Sequence, residues 1–389
     1  MLEPMTSDAN PTLNLRVIIF TCVGLALIGA ATSSLGPLLG TIRERFGVRD
    51  ADLGWLASAQ FSGAILGNLS FVVLSRVPAG WRMAGGMVTF GLGVLTFALT
   101  NLWPFALLGL FVTGLGFGTF QANYANIFAI GLGPRSAAIL TLMGGTFSLG
   151  AMVGPAVVGL LLARGQGYSI LFVICAFLAC LLPFGLHGIR KVAFDAEAHA
   201  PRATNYVLLA GFVALSVFYV AAESNTALWA ASHLTDGLGY SKKDAAFMTS
   251  YFWVAITAGR FLSVPIALRT SSANLILAAM ALSLLGLLLA QIPTLAPYGY
   301  LLAGLAFAPV FPSGMAWMGR IVPGEFSTSS YFLAGTVGSL LGAPLVGLVK
   351  QQFGANSIPS VLLIFAVIAF GCAIWLRQAT SKQLSSTIS

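Results

Sequence analysis

The 389-residue sequence predicts an all-α integral membrane protein, with twelve transmembrane helices in two pseudo-symmetric bundles of six. Three observations carry this prediction: the composition, a succession of apolar segments, and a repeat between the two halves of the chain. Hydrophobic residues make up 58% of the chain and charged residues 8%, whereas soluble domains contain about 25% charged residues. A chain of this composition is expected in lipid rather than in water.

Polar breaks divide the chain into about twelve apolar segments of a length suited to crossing a bilayer. Their centres lie near residues 28, 64, 92, 116, 150, 179, 217, 256, 282, 307, 338 and 367. A polar stretch of mixed charge separates the sixth segment from the seventh. We therefore predict an N-terminal bundle over 1–188, a cytoplasmic linker over 189–204 and a C-terminal bundle over 205–389.

The net charge of +8 reflects membrane topology and does not indicate nucleic acid binding. With the N-terminus in the cytoplasm, eleven of the Lys and Arg residues fall on the cytoplasmic side and seven fall outside, as the positive-inside rule favours. Both termini are thus predicted to be cytoplasmic, in a bacterial inner (plasma) membrane. The cysteines and histidines show no metal-ligand spacing, and no catalytic arrangement is visible, so the sequence predicts neither an enzyme nor a cofactor.

The two halves repeat one another. FGVRDADLGWLASAQFSGAILG at 46–67 aligns with LGYSKKDAAFMTSYFWVAITAG at 238–259, which pairs Gly47 with Gly239, Asp52 with Asp244 and Gly67 with Gly259. Further on, GLGFG at 114–118 aligns with GLAFA at 304–308, and Gly150, Gly154 and Gly159 align with Gly338, Gly342 and Gly347. Parallel repeats of six helices are typical of rocking secondary transporters, whose substrate site lies between the repeats.

Four motifs make the chain similar to major facilitator superfamily transporters. GAMVGPAVVG at 150–159, which includes Pro155, resembles a motif of the fifth helix that is best known from proton-coupled antiporters. Three further motifs of the second half resemble the fucose–galactose–glucose:proton symporter family: YVAAESNTALW at 219–229, FWVAITAGRF at 252–261 and GLAFAPVFPSGMA at 304–316. The resemblance implies the major facilitator fold, alternating access and symport.

The chain also departs from that pattern. The loop between predicted helices 2 and 3 is LSRVPAGWR, in which Ser75 replaces the usual acid and only Arg76, Gly80 and Arg82 match the superfamily motif. The resemblance implies a gating role for Arg76 and Arg82. Predicted helices 1 and 4 lack the acids of fucose-type symporters.

Glu223 is the only charged residue between Asn205 and Trp229. An acid at this depth costs about 2.5–3.5 kcal/mol unless it is protonated, paired or facing water, so we predict that Glu223 binds the coupling proton. The alternative is a protonated carboxyl that only bonds to a neighbouring helix. Three nearby side chains are predicted to contact substrate: Tyr219, Asn225 and Trp229.

Polar residues inside other apolar segments are candidates for the cavity wall, because lipid cannot satisfy their hydrogen bonds. The candidates are Gln121, Asn123, Tyr124 and Asn126 in predicted helix 4, and Phe311 and Ser313 in predicted helix 10. Interhelical hydrogen bonding is the alternative for the helix 4 group.

Other residues are predicted to shape or gate the helices. Pro309 and Pro312 should kink predicted helix 10, and Gly150, Gly154 and Gly159 should allow close helix packing. Arg260, the second ionisable residue deep in a helix, is predicted to gate or to pack, with direct substrate contact or pairing with Glu223 as alternatives.

The sequence thus predicts a monomeric secondary active transporter that moves a small organic solute, sugar-like or otherwise polar, by proton-coupled alternating access. Two alternatives remain within the class: proton-coupled efflux of amphipathic compounds, which the 150–159 motif and the aromatic content favour, and an uncoupled facilitator. A channel is disfavoured because the two halves are not identical, and no segment is long enough for a sensor domain.

Overall fold

The computed structural model describes residues 15–131, 136–186, 205–322 and 327–386; the predicted linker therefore lies outside the described residues. Helices make up most of these four ranges, and no strand occurs in them. The helices of the first half are α1 Leu15–Ser33, α2 Leu35–Phe46, α3 Asp50–Val73, α4 Ala79–Leu99, α5 Trp103–Gly131, α6 Ser136–Ala163, α7 Ser169–Leu181 and α8 Pro183–Leu186. Those of the second half are α9 Tyr206–Ser232, α10 Lys242–Ala267, α11 Ser272–Leu289, α12 Ala296–Phe307, α13 Val310–Ile321, α14 Ser327–Phe353 and α15 Ile358–Ser386.

Ten helical spans of the described chain are long and apolar enough to cross a membrane. The predicted second and eighth crossings, α3 and α10, contain 24 and 26 residues but are not among the ten. Both helices begin with a charged first turn. The all-helical membrane fold is confirmed, while the count of twelve crossings stays a prediction.

Pro309 lies where the tenth predicted crossing breaks into α12 and α13. Pro312 lies in the first turn of α13, where a missing N–H removes no intrahelical hydrogen bond. The first crossing is likewise divided between α1 and α2 at Ser34, whose hydroxyl bonds to the carbonyl of Ala30 at 2.6 Å. In the first half, α2 packs across the interface against α9, whereas α12 and α13 pack against helices of their own half.

The sequence repeat corresponds to equivalent contacts in the two halves. Gly67 of α3 packs on α5, where an added Cβ would overlap the Leu115 carbonyl; Gly259 of α10 packs on α12, where a Cβ would overlap the Leu305 carbonyl. Leu115 and Leu305 occupy the same position in the repeated GLGFG and GLAFA segments. The pseudo-symmetry predicted from the sequence is therefore present in helix packing.

Turn geometry explains the other repeated residues. Gly47 and Gly239 have φ angles of 62° and 75°, in the left-handed region that glycine adopts without strain. Asp52 and Asp244 lie in the first turns of α3 and α10, where the Asp52 carboxylate accepts from the backbone N–H of Arg49 at 3.0 Å. Acids stabilise a helix at this position by interacting with the positive end of its dipole.

The repeated glycines place α6 and α14 against their neighbours. Gly150 and Gly154 lie on α1, where a Cβ would meet the Ala26 and Ala30 carbonyls. Gly338 and Gly342 lie on α9, where a Cβ would meet the Val217 carbonyl and the Asn225 side chain. The third glycine of each set faces the other half: Gly159 contacts α10 near Ala246, and Gly347 contacts α3 at Asp50.

The two halves meet through α3 with α14, α6 with α10 and α2 with α9. Several of these contacts lie at the end of the bundle where α3 and α10 begin and α14 ends. There, Gln351 accepts a hydrogen bond from the backbone N–H of Ala51 at 3.0 Å. Farther along the same two helices, the Ser58 hydroxyl donates to the Leu340 carbonyl at 2.6 Å. We call the end of the bundle where α3 and α10 begin the cluster end, after the ion cluster described below.

Candidate transport site and inter-half ion cluster

Glu223 lies on α9 with its side chain half-buried. The hydroxyl of Tyr219, one turn earlier on the same face, is 2.6 Å from Glu223 Oε2 and 3.1 Å from the carbonyl oxygen of Phe307. Tyr219 is buried, with 1% of its surface exposed, and its ring packs edge-on against Phe307 at 5.9 Å. The glutamate is thereby linked to the last residue of α12, next to the break before α13.

The number of hydrogen bonds that Tyr219 and Glu223 can form here depends on the protonation of Glu223. The Tyr219 hydroxyl has one hydrogen and two acceptors within reach. When Glu223 is ionised, Tyr219 can donate to only one of them. When Glu223 is protonated, it can donate to Tyr219 while Tyr219 donates to Phe307, so both bonds form. The geometry accommodates a proton on Glu223 and connects it to the broken crossing.

Arg260 lies on α10 with an exposed side chain, and its Nη1 donates to the Ser148 hydroxyl of α6 at 3.1 Å. This bond joins the two halves. Arg260 and Glu223 are both described and form no ion pair with one another, although they interact electrostatically. Nothing in the sequence singled out Ser148, because a serine in a small-residue helix is common.

Both halves contribute groups of packed aromatic rings. In the first half, Phe117 stacks on Phe147 at 6.5 Å, and Phe147 meets Trp253 of α10 edge-on at 6.1 Å across the interface. In the second half, Phe311 packs against Tyr331 at 5.3 Å and against Phe332 at 5.9 Å. Phe311, a predicted substrate contact, is half-buried in this group.

The predicted polar group of helix 4 does not share one environment. Gln121 is half-buried, and Tyr124 packs against the Phe120 ring at 5.8 Å. Asn123 is fully buried and donates to the Thr119 carbonyl at 2.7 Å, with the hydroxyl of Ser70 on α3 at 3.4 Å. The placement of Asn123 favours interhelical bonding. The side chain of Asn126 lies outside the described residues.

The remaining predicted substrate contacts of the second half also differ in burial. Ser313 is half-buried on α13. Asn225 is buried, donates to the Ala221 carbonyl at 2.8 Å and packs against Gly342 of α14. Trp229 is buried beside Gly347 and the ammonium of Lys350. Asn225 and Trp229 thus pack against α14, and their substrate role stays a prediction.

The two arginines of the degenerate loop motif differ in exposure. Arg76 is exposed in the turn between α3 and α4, whereas Arg82 is half-buried in the first turns of α4. Arg82 lines a cavity of about 310 Å³ with Ser70 and Thr119, between α3, α4 and α5. The gating role implied for both stays a prediction.

Sequence inspection missed a group of four charges that joins the halves. Lys350 of α14 donates to Asp50 of α3 at 2.7 Å and to Asp236 at 2.6 Å, and Arg43 of α2 contacts the same two carboxylates at 2.9 and 3.4 Å. We call Arg43, Asp50, Asp236 and Lys350 the four-charge cluster. Two residues come from each half, which is why no local sequence pattern reveals it.

Lys350 is the centre of the cluster. Its side chain is 2% exposed, and its ammonium also donates to the Ser232 hydroxyl at 2.8 Å and lies 5.9 Å from the Trp229 ring. A buried ammonium needs compensation for each of its three N–H donors, and the three oxygens supply it. The two cations and two carboxylates of the four-charge cluster therefore neutralise one another and hold the halves together at this end. A second inter-half pair, Lys242 with Glu44 at 2.9 Å, is exposed.

The described residues contain no group of three or more His, Cys, Asp or Glu side chains arranged to hold a metal ion. One buried pair nearby was also missed: His233 Nδ1 and the Tyr300 hydroxyl lie 2.9 Å apart. His233 begins a π-helical turn, His233–Gly237, that ends α9 and carries Asp236 into the cluster.

The Major Facilitator Superfamily model matches the chain over residues 21–211 and again over 207–388. The chain therefore belongs to the major facilitator superfamily, as the motifs implied, and is a multi-pass membrane protein of a transporter family. It is 25% identical over 372 residues to an uncharacterized MFS-type transporter of Yersinia pestis, covering 90% of this chain and 91% of that protein.

Solved structures share the fold. The nucleoside transporter NupG has a TM-score of 0.72 and 16% identity, covering 95% of this chain and 98% of that chain. The MFS transporter FucP in the outward conformation has a TM-score of 0.64 and 16% identity, covering 92% and 98%. A D-xylose-proton symporter has a TM-score of 0.70 and 14% identity, covering 93% and 96%.

Proposed function

We propose that the protein is a proton-coupled secondary transporter of a small polar organic solute, with Glu223 as the proton site. The observation that carries the proposal is the Glu223–Tyr219–Phe307 arrangement, in which a protonated carboxyl forms one more hydrogen bond than an ionised one. A group whose protonation changes contacts at a helix break provides a physical link between proton binding and movement of α12 relative to α13.

The solute would bind between the two halves, where Arg260 donates to Ser148 and the ring of Phe147 meets that of Trp253. Sugar-like solutes fit the resemblance of the helix 7, 8 and 10 motifs, and a similar structure is a D-xylose-proton symporter. Because one chain supplies both walls of this site, a monomer is the functional unit of the proposal.

In the proposed orientation both termini are cytoplasmic in a bacterial inner membrane, so the cluster end faces outward. The four-charge cluster then closes the outer side in the conformation described. Alternating access requires this cluster to separate when the outer side opens, as the halves rock about the site.

The test is Glu223→Gln in proteoliposomes that contain a pH-sensitive dye. The amide keeps the size of the side chain and its donor capacity but cannot exchange a proton. We expect proton-driven accumulation to be lost, while folding and exchange of solute across the membrane persist. Uphill uptake equal to that of the wild type would overturn the proton role.

A second candidate, proton-coupled efflux of amphipathic compounds, is favoured by the ring group of Phe117, Phe147 and Trp253. The same liposomes distinguish the two functions. Acidification of the interior when a polar solute is added outside supports symport. Alkalinisation with lipophilic cations alone supports efflux by antiport.

A further inference from the structure

Arg260 is held in place by the packing of its own helix. The preceding residue, Gly259, lies so close to α12 that an added Cβ would overlap the Leu305 carbonyl and lie 2.8 Å from the Ala308 Cβ. The backbone at Arg260 is therefore fixed against the broken crossing α12–α13. The side chain extends the other way, towards α6, where it bonds to Ser148.

Most of the N–H donors of the Arg260 guanidinium form no hydrogen bond with the described residues. It carries five N–H groups, and the hydrogen bond that it forms among the described residues uses one of them, with the neutral Ser148 hydroxyl. No carboxylate of the described residues forms an ion pair with it. By contrast, the interface cations Arg43, Lys242 and Lys350 are each paired with an acid.

A second donor lies on the same side of α10. Trp253 is two helical turns before Arg260, its ring contacts Phe147, and its indole N–H is buried without a hydrogen-bond partner among the described residues. Phe147 is the direct neighbour of Ser148 in sequence. The interface thus presents two donor side chains, one of them cationic, beside aromatic faces. A negatively charged group that only accepts hydrogen bonds complements these two donors. A carboxylate is such a group, and its two oxygens match the paired N–H donors of the planar guanidinium.

We propose that the transported solute is a hydroxylated organic monocarboxylate, bound through its carboxylate by Arg260 and Trp253. The inference rests on the proposed proton-coupled function and names its substrate class. Hydroxyls on the body of the solute match the polar groups of the site, and aromatic rings suit its apolar faces. Each transport step would carry one carboxylate with one proton, so it moves no net charge.

The pair Glu223 and Arg260 supplies the coupling. An ionised Glu223 interacts favourably with the positive charge of Arg260. A bound carboxylate neutralises that charge and so removes its attraction for an ionised Glu223, which favours the protonated form of Glu223. By thermodynamic reciprocity, a proton on Glu223 strengthens binding of the carboxylate by the same factor.

The experiment uses proteoliposomes of the full chain with an internal pH dye and a potassium–valinomycin clamp. D-glucuronate, D-gluconate and quinate are added outside, with D-glucose, sorbitol and inositol as uncharged controls. We expect acidification by at least one acid, absent from protein-free liposomes and unchanged in rate when the clamped potential is altered. Arg260→Gln should reduce that rate at least tenfold, and Arg260→Lys should retain more activity than Arg260→Gln.

Each outcome separates this inference from the proposed function. Acidification by an uncharged control, with none by the acids, keeps proton symport and overturns the carboxylate class. Silence with all three acids overturns it as well. Acidification by an acid that persists in Arg260→Gln overturns the role of Arg260. Correct folding of both Arg260 variants is checked by size exclusion and thermal unfolding in detergent, with Ser263→Ala as a control on the same helix.

Discussion

Two groups of charged side chains within the described residues, the four-charge cluster and Glu223, differ in how their charge is balanced. In the four-charge cluster, two cations and two carboxylates from opposite halves neutralise one another, and Lys350 is 2% exposed. At Glu223, one carboxyl is bonded to a tyrosine and forms no ion pair with the nearby Arg260. Paired charge holds two surfaces together, whereas an unpaired acid in a helix is free to change its protonation. The first suits closure of one end, and the second suits proton coupling.

The largest effect, on closure of the cluster end, should come from Lys350→Met. Removing the central cation leaves Asp50 and Asp236 with only Arg43 between them, and breaking a buried ion pair in this way costs about 3–5 kcal/mol. We expect the cluster end to open. Hydrogen–deuterium exchange should rise in residues 50–58 and 340–351, which pack against each other from that end inward.

Lys242→Met is the matched control, because it removes the exposed inter-half pair with Glu44. Exposed pairs contribute about 0–1 kcal/mol, so exchange in the same segments should hardly change. Equal effects of the two substitutions would show that burial of Lys350 does not determine closure.

An intermediate effect is expected from Tyr219→Phe. It removes the hydroxyl between Glu223 and Phe307, and a hydrogen bond in such a site contributes about 1–2 kcal/mol, or about five- to thirtyfold in an equilibrium constant. The initial rate of solute-driven acidification in proteoliposomes should fall by a factor of this order.

Tyr331→Phe provides the comparison for Tyr219. Tyr331 is equally buried, but its hydroxyl has no hydrogen-bond partner among the described residues, so its removal should leave the rate within about twofold of wild type. A similar loss in both variants would mean that ring packing, rather than the hydroxyl of Tyr219, sets the rate.

The smallest effect is expected from Ser148→Ala, which removes the hydroxyl that accepts from Arg260 across the interface. One hydrogen bond of this kind contributes about 0.5–1.5 kcal/mol, less than the loss expected at Lys350. Exchange in 50–58 and 340–351 should rise slightly, and Ser263→Ala, whose hydroxyl bonds within α10, should leave it unchanged. A rise as large as that of Lys350→Met would place the main inter-half bond at Ser148.

The candidate site was only partly visible in the sequence. Glu223 and Arg260 could be found because an ionisable residue inside an apolar segment is rare and costly. Asn123 and Asn225 are polar residues in apolar segments too, but both donate to the carbonyl one turn earlier and pack against a neighbouring helix. Helical periodicity shows which residues share a face; it does not show what that face meets.

The sequence by itself determined the membrane fold, the internal repeat and the positions of its glycines. These depend on composition and on backbone geometry within a few residues, as at Gly47 and Gly239. The contacts of Lys350 in the four-charge cluster and the Arg260–Ser148 bond were decided only by tertiary structure, because they join residues more than one hundred positions apart. Lys350 is an ordinary helix-end lysine in the sequence, and packing of α14 against α3 turns it into the buried centre of an ion cluster.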